Sequence, residues 1–122
     1  MYKIPIYRDK SGNEPITEYI KELEIAAAKN KSERIKLKKI LEYMAILSEY
    51  GSRVGVPYVK HIEDDIWEMR PTNDRFFYIH WKDEKYLLLH HFTKTTQKTP
   101  KRELEQAKRN LADFLERSDD FE

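Results

Sequence analysis

Apolar residues recur at helical spacing in the first half of the chain and predict a pair of amphipathic helices. The first opens with Pro15, which suits the first position of a helix, and its apolar face covers residues 16–23. The second follows a polar break at residues 29–31, with Ser32 as the expected N-cap and Gly51 at the expected C-cap. The predicted apolar stripe of the second helix contains Ile35, Ile40, Tyr43, Met44 and Leu47. Such a helical hairpin must bury its stripes against another layer.

Four later segments, rich in aromatic and β-branched residues, predict a β-sheet. They cover residues 58–62, 66–70, 75–81 and 86–92, and short polar breaks separate them. Because parallel neighbours need much longer crossovers, links this short predict an antiparallel meander. The last two segments are apolar on both faces, so we expect central strands that are covered on both sides.

The two ends of the chain complete the predicted fold. Lys3–Arg8 alternates enough for a short first strand, which Pro5 confines to an edge or a bulge. After the last strand, Thr99 as N-cap and Pro100 at the first helical position open a helix that ends near Arg117. Its predicted stripe is Leu104, Ala107, Leu111, Phe114 and Leu115.

The predicted elements describe one α+β domain. Their order is β-α-α-β-β-β-β-α, with a mostly antiparallel sheet packed by the helical hairpin and the C-terminal helix. The domain covers residues 1–117, and residues 118–122 form an acidic C-terminal tail.

Length and composition narrow the class of protein. A chain of 122 residues has room for one domain, and the absence of cysteine excludes disulfides, thiolate metal sites and cysteine nucleophiles. No apolar run approaches the roughly 18 residues of a membrane span, and the N-terminus lacks the apolar core of a signal peptide. We therefore expect a soluble cytoplasmic protein that does not bind membranes. Gly-rich phosphate loops and paired-His metal motifs are also missing from the sequence, so we expect neither a metal site nor a cofactor.

The formal net charge of +1 hides an uneven distribution. The segment Lys94–Arg109 carries a local charge of +4, whereas Asp113–Glu122 carries −4. A basic block followed by an acidic end is typical of a polyanion-binding surface with a solvating tail, and Lys98, Lys101 and Arg102 are its candidate polyanion contacts. The alternative is that both segments are ordinary solvated faces.

Candidate chemistry lies on the predicted strands 66–70 and 75–81. Glu68 and Arg70 are two residues apart and therefore share a face, opposite Trp67 and Met69, which we expect in the core. Arg75 begins the next strand, within hairpin distance of Arg70. Two guanidinium groups repel unless an anion lies between them, and their forked donors suit phosphate oxygens. The alternative is a solvated salt bridge in which both arginines pair with neighbouring carboxylates.

Several other polar residues on or after the last two strands are candidates for a functional role. His90 and His91 are adjacent in a strand and must point to opposite faces, so they cannot both serve one site. Lys94 stands where the last strand ends, a position that often carries function. Tyr78 would either stack on a base or lie buried with its hydroxyl group bonded.

Three segments together resemble the RelE/ParE toxin superfamily. They are Ile66–Arg70, Asp74–Tyr78 and Leu88–Pro100, and the likeness is closest to the HigB-like branch, including its phage-derived members. The final helix over Pro100–Arg109 is typical of that branch. The resemblance extends from Lys3 to Arg117, and the segment Leu88–Arg109 is its specific part.

The resemblance implies a type II toxin, usually a ribosome-dependent endoribonuclease that cuts mRNA by metal-independent attack of the 2′-hydroxyl on the phosphodiester. At matching positions, Glu68 is the candidate base, Arg75 binds phosphate, Lys94 is the basic residue after the last strand, and Arg70 helps to hold phosphate. Relatives that end soon after the last strand carry a terminal Tyr or His. Here a helix stands there instead, so His91 or His90 is left as the candidate general acid.

The resemblance also implies partners, and two rival functions stay open. The partners are the ribosome with its mRNA and a cognate HigA-like antitoxin with a helix-turn-helix domain, through which alone operator DNA would be reached. One rival is a ParE-like gyrase inhibitor; the other is a non-catalytic module that binds nucleic acid or a protein partner. The combination of Glu68, Arg75 and Lys94 favours the nuclease.

Overall fold

The computed structural model describes residues 1–118 as three α-helices, one 3-10 turn and a four-stranded antiparallel sheet. The helices are α1 (Pro15–Ala27), α2 (Lys31–Tyr50) and α3 (Lys101–Glu116), and the turn is Gly51–Val54. The strands are β1 (Val59–Glu63), β2 (Ile66–Met69), β3 (Asp74–Trp81) and β4 (Lys85–Thr93). They neighbour one another in chain order, which confirms the predicted antiparallel meander. The predicted acidic tail lies outside the described residues from position 119 onwards.

The sheet is covered on both faces, as its strand sequences predict. One face carries Met69, Phe76 and Leu88 and packs against α1 and α2 through Ile16, Leu23, Ile40 and Leu47. The other face carries Ile66, Phe77 and Leu87 and packs against α3 through Ala107 and Phe114. Because side chains alternate along a strand, each polar residue in β2, β3 or β4 belongs to one of these two faces.

The predicted first strand is wrong as a regular element. Lys3–Arg8 makes two isolated parallel bridges to β4, from Lys3 to Lys85 and from Ile6 to Leu88. Pro5 has no N–H to donate to a ladder, and only its carbonyl takes part, accepting the Leu88 N–H at 3.0 Å. As a result β4 is the edge of the four-stranded sheet rather than a central strand, with this segment covering part of its outer side.

Two helix starts also differ from the prediction. Asn30, rather than Ser32, caps α2, because its side chain accepts a hydrogen bond from the Glu33 N–H at 3.2 Å. Pro100, rather than Thr99, is the residue that precedes α3. Gly51 does form the C-cap of α2, with a positive φ of 70°.

Two residues that were assigned to apolar stripes are exposed instead. Ile35 is 52% exposed and Leu115 is 55% exposed. At 100° per residue, Ile35 lies about 140° around α2 from the buried Ile40, and Leu115 lies about 100° around α3 from the buried Phe114. No helix among residues 1–118 is long and apolar enough to cross a membrane.

Candidate functional site

Glu68, Arg70 and Arg75 meet at one end of the sheet, on the face that carries α3. Glu68 pairs across the ladder with Phe77, and Arg75 follows the tight link between β2 and β3, in which the Asp74 N–H bonds to the Pro71 carbonyl at 3.0 Å. Glu68 Oε1 lies 3.3 Å from Arg70 Nε and 3.8 Å from Arg75 Nε. We call these three residues the Glu68 cluster.

The Glu68 cluster is buried and its hydrogen bonding is incomplete. Glu68 is only 1% exposed, yet Glu68 Oε2, Arg70 Nε and Arg75 Nε have no hydrogen-bond partner among residues 1–118. Buried polar atoms in proteins are nearly always bonded, and leaving them unpaired costs free energy. The two Nε groups lie in ion-pair range of Glu68 Oε1, so Glu68 Oε2 is the atom of the cluster that has neither a hydrogen bond nor an ion pair among residues 1–118.

Arg75 is held rigidly inside this cluster. Its Nη1 donates to the carbonyls of Thr72 at 2.7 Å and of Asp74 at 2.9 Å, which fixes the plane of the guanidinium group. Burial lowers the pKa of Arg75, the carboxylate of Glu68 opposes that change, and the like charge of Arg70 adds to it. Arginine starts from so high a pKa that the side chain stays cationic, which suits the binding of a phosphate oxygen.

The two histidines face opposite sides of the sheet, as predicted. His90 pairs with Phe77, the same residue that Glu68 faces from the other side, and its Nε2 lies 2.8 Å from Glu103 Oε1. His91 points to the other face, where its Nε2 donates to Asp74 Oδ1 at 2.7 Å and its ring stacks on Tyr19 at 3.9 Å. The structure therefore brings His90, and not His91, to the face that bears the Glu68 cluster.

Of the basic residues after β4, Lys94 lies at the same end of the sheet as the Glu68 cluster. The Lys94 N–H bonds to the Asn73 carbonyl at 2.7 Å, which continues the β3–β4 pairing. By alternation from Phe92, the partner of Arg75, Lys94 belongs to the face of the Glu68 cluster. Lys98, Lys101 and Arg102 are exposed on the following loop and on the first turn of α3, where Arg102 Nε lies 3.7 Å from Glu103 Oε2.

Tyr78 takes the buried alternative of the two that the sequence left open. It is fully buried on the face covered by α1 and α2, and its hydroxyl lies 2.9 Å from Ser52 Oγ. Burial raises the pKa of Tyr78. A nucleic-acid base cannot reach this ring in the described conformation, so the interpretation of Tyr78 as an RNA-stacking residue is corrected.

Asp74 is a buried polar residue that the sequence analysis missed. It is fully buried, and its Oδ1 accepts hydrogen bonds from Tyr19 at 2.8 Å, from His91 at 2.7 Å and from Thr93 at 3.3 Å. Lys36 Nζ lies 3.6 Å from the same oxygen. Asp74 ends the polar link 71–74, where aspartate is typical of a turn, so no sequence pattern marked it as buried.

The charge of Asp74 follows from these contacts. Burial by itself raises the pKa of Asp74, but hydrogen bonds from His91 and Tyr19, together with the positive charges of His91 and Lys36, outweigh burial and lower the pKa. The carboxyl group is therefore ionised at neutral pH. We call Asp74 with Tyr19, Lys36, His91 and Thr93 the Asp74 hub.

None of the three residues of the Glu68 cluster lines the cleft beside the two histidines. A cleft of about 420 Å³ separates the start of α1 from α3, and both His90 and His91 line it. The side chain of Glu68 is 2% exposed and that of Arg70 is 27% exposed, so Arg70 forms the outer side of the cluster. Within residues 1–118, no group of three or more His, Cys, Asp or Glu side chains is arranged to hold a metal ion.

Comparison with known families shows to which family the chain belongs. The family model described as "Phage derived protein Gp49-like (DUF891)" matches residues 18–112, which include most of α1, all of α2, the whole sheet and most of α3. A search of curated proteins found no match. The matched segment contains every residue of the Glu68 cluster and of the Asp74 hub. The chain therefore belongs to the Gp49-like family of phage-derived proteins, a toxin-like family related to RelE and ParE.

Proposed function

We propose that this protein is the toxin of a type II toxin–antitoxin system and acts as an endoribonuclease on ribosome-bound mRNA. Membership of a toxin-like family supports the toxin role. The observation that carries the nuclease role is the Glu68 cluster, a buried carboxylate that pairs with two guanidinium groups through one oxygen and leaves its other oxygen without a hydrogen bond among residues 1–118. That arrangement offers a proton acceptor beside two donors for a phosphate.

The proposed reaction is metal-independent transesterification. Glu68 takes the proton of the ribose 2′-hydroxyl, whose oxygen forms a bond to the adjacent phosphorus while the bond from phosphorus to the 5′-oxygen breaks. Arg70 and Arg75 donate to the non-bridging oxygens, where negative charge develops in the transition state. A protonated side chain supplies the proton of the departing 5′-oxygen, so the products are a 2′,3′-cyclic phosphate and a 5′-hydroxyl.

His90 is the proposed general acid. It lies two strands from Glu68 on the same face, a separation of about 9.6 Å at the usual spacing between strands. Glu103 orients the imidazole through its 2.8 Å contact with Nε2.

Because Glu68 is buried, the cluster does not cleave every RNA equally well. Because Glu68 is buried under Arg70, the 2′-hydroxyl reaches the carboxylate only when the Arg70 side chain moves out onto the phosphate. Alignment of the nucleotide must then come from outside the protein, and the ribosome supplies it by holding the mRNA. We therefore expect weak cleavage of free RNA.

The remaining basic residues and the partner complete the proposal. Lys94 completes the phosphate contacts of the site, and Lys98, Lys101 and Arg102 bind the RNA backbone through their exposed charges. The natural inhibitor is a HigA-like antitoxin with a helix-turn-helix domain, and operator DNA is reached through that antitoxin. We propose on the same grounds that the chain belongs to the HigB-like branch.

The first test replaces the base without changing its shape. We expect Glu68→Gln to abolish the growth arrest, the loss of translation and the mRNA cleavage that follow induction of the wild-type protein, because an amide cannot accept the 2′-hydroxyl proton. The matched control is Glu63→Gln, which removes the carboxylate that binds the exposed Lys108 and should leave cleavage unchanged. Circular dichroism of both variants verifies folding.

Two results would count against the proposal. If folded Glu68→Gln arrests translation and cuts mRNA like the wild type at equal expression, Glu68 is not the base. If induction instead causes a DNA-damage response without loss of translation, the protein is a gyrase inhibitor of the ParE type.

A further inference from the structure

The structure assigns Asp74 as a positioning residue for the Glu68 cluster. We infer that the Asp74 hub fastens the start of β3 to the helical hairpin and thereby fixes the guanidinium group of Arg75 in the orientation that binds phosphate. This inference rests on the proposed role of Arg75. It concerns the opposite face of the sheet, where none of the hub residues touches Glu68 or Arg70 in any contact described above.

The hub joins elements that are far apart in the sequence. Tyr19 comes from α1, Lys36 from α2, and His91 and Thr93 from β4, yet all four side chains meet one oxygen of Asp74. Those contacts lie within 2.7–3.6 Å. A single carboxylate oxygen therefore fixes where the first residue of β3 lies relative to both helices of the hairpin.

The backbone of Asp74 carries this constraint to Arg75. The Asp74 carbonyl accepts a hydrogen bond from Arg75 Nη1 at 2.9 Å, so the residue whose side chain is held by the hub also holds the guanidinium group. The second acceptor is the carbonyl of Thr72, a residue with a positive φ of 50° in the link that leads into Asp74. A shift of Asp74 would move its own carbonyl, and with it the donor plane of Arg75.

Stability alone is a poor explanation for this arrangement. An ionised carboxylate buried in a sheet loses its hydration, and well-packed apolar residues of similar volume often stabilise a protein equally well or better. Asp74 Oδ2 is also buried without a hydrogen-bond partner among residues 1–118. The hub therefore lowers stability at one of the two residues whose carbonyls hold the Arg75 guanidinium group, which is what a positioning role requires.

The test measures the surroundings of the Arg75 side chain by NMR and, separately, the rate of RNA cleavage. The Nε–Hε resonance of Arg75, assigned by its loss in Arg75→Lys, reports the surroundings of the guanidinium group by NMR. In Asp74→Asn we expect this resonance to move, and we expect kcat for cleavage of ribosome-bound mRNA to fall about 10- to 100-fold with KM changed less than about threefold. Glu63→Gln, the matched carboxylate-to-amide change on the surface, should alter neither.

Milder variants cover the case in which Asp74→Asn does not fold. Tyr19→Phe and Thr93→Val each remove one donor from Asp74 Oδ1 and should move the Arg75 resonance in a common direction, with smaller losses of kcat. The inference is overturned if the resonance stays in place in folded Asp74→Asn, or in both milder variants. Should the wild-type protein fail to cut RNA, the proposed function fails, but the Arg75 resonance still decides whether the hub positions this side chain.

Discussion

At the scale of single residues, the protein loses stability at the positions where it buries charged side chains. Glu68 is fully covered by protein, and the nearest cations approach only one of its two oxygens. Removing one partner of such a buried pair typically costs about 3–5 kcal/mol, since the other charge is left uncompensated. Variants of the cluster must therefore be judged on folded protein, with stability measured beside activity.

Gly51 allows a prediction that concerns stability alone. A Cβ atom at this position would lie 2.7 Å from the Tyr86 hydroxyl and 2.8 Å from Tyr2 Cε2, and φ is +70°. We expect Gly51→Ala to lower the free energy of unfolding by about 3 kcal/mol, because steric overlap adds to backbone strain. Urea denaturation measures the change.

The matched control is Gly12, which has a φ of +85° but nothing within 4 Å of an added Cβ. Gly12→Ala should cost only about 1 kcal/mol, the strain of a positive φ without overlap. Equal losses in the two variants would contradict the steric part of the argument.

The residues of the Glu68 cluster were predictable from local rules, whereas the Asp74 hub was not. Glu68 and Arg70 share a face because they are two residues apart, and a short hairpin brings Arg75 beside them. The partners of Asp74 lie 17 to 55 residues away in the sequence, and only the packing of the helical hairpin on the sheet brings them together. The spacing of apolar residues along the chain does not reveal contacts between residues so far apart.

At the scale of elements, three polar side chains connect the N-terminal segment to the end of α3. The Tyr7 hydroxyl donates to Asp113 Oδ2, Arg117 Nε donates to Asp113 Oδ1 at 3.0 Å, and Arg117 Nη2 donates to the Arg8 carbonyl at 2.8 Å. The extended segment lacks a continuous ladder, so these side chains supply part of its attachment. We call Tyr7, Asp113 and Arg117 the terminal triad.

The terminal triad predicts a pH dependence of stability. Hydrogen bonds from Arg117 and then from Tyr7 lower the pKa of Asp113 to about 2, below the value of about 3.9 for an unfolded chain. A depressed pKa stabilises the folded state fully above the unfolded value, and this contribution disappears as pH falls towards about 2. Asp113→Asn should therefore be less stable than the wild type at pH 7, with a difference that shrinks between pH 4 and pH 2.

Urea midpoints across that pH range check the prediction. Asp65→Asn changes an exposed carboxyl in the turn between β1 and β2 and serves as the control, with no comparable loss at pH 7. A stability gap for Asp113→Asn that is as large at pH 2 as at pH 7 would show that its carboxylate charge is not the cause.

The elements themselves followed from the sequence wherever the pattern was strong. The four strands lie within two residues of their predicted bounds, because alternating aromatic and β-branched residues and short polar links fix a meander. The first strand failed since Pro5 removes a donor and β4 bonds to this segment at isolated positions. The N-cap of α2 was misplaced because Asn30 and Ser32 are both good caps, and side-chain geometry decides between them.

At the scale of the whole molecule, one end of the sheet concentrates positive charge. Arg70 and Arg75 lie in the Glu68 cluster, and Lys98, Lys101 and Arg102 stand exposed on the loop and helix that follow β4. The formal charge of the whole chain is only +1, so this end differs from the average surface. A polyanion would approach the protein here, which agrees with RNA as the proposed substrate.

The central claim is that the Glu68 cluster cleaves the phosphodiester by 2′-hydroxyl attack, and the chemistry of the cut ends tests it most directly. Purified wild-type protein is added to ribosomes translating a defined mRNA, and the new RNA ends are identified chemically. We expect 2′,3′-cyclic phosphate and 5′-hydroxyl ends with the wild-type protein and no new ends with folded Glu68→Gln. New ends carrying 3′-hydroxyl and 5′-phosphate groups, or the same ends produced by Glu68→Gln, would contradict it.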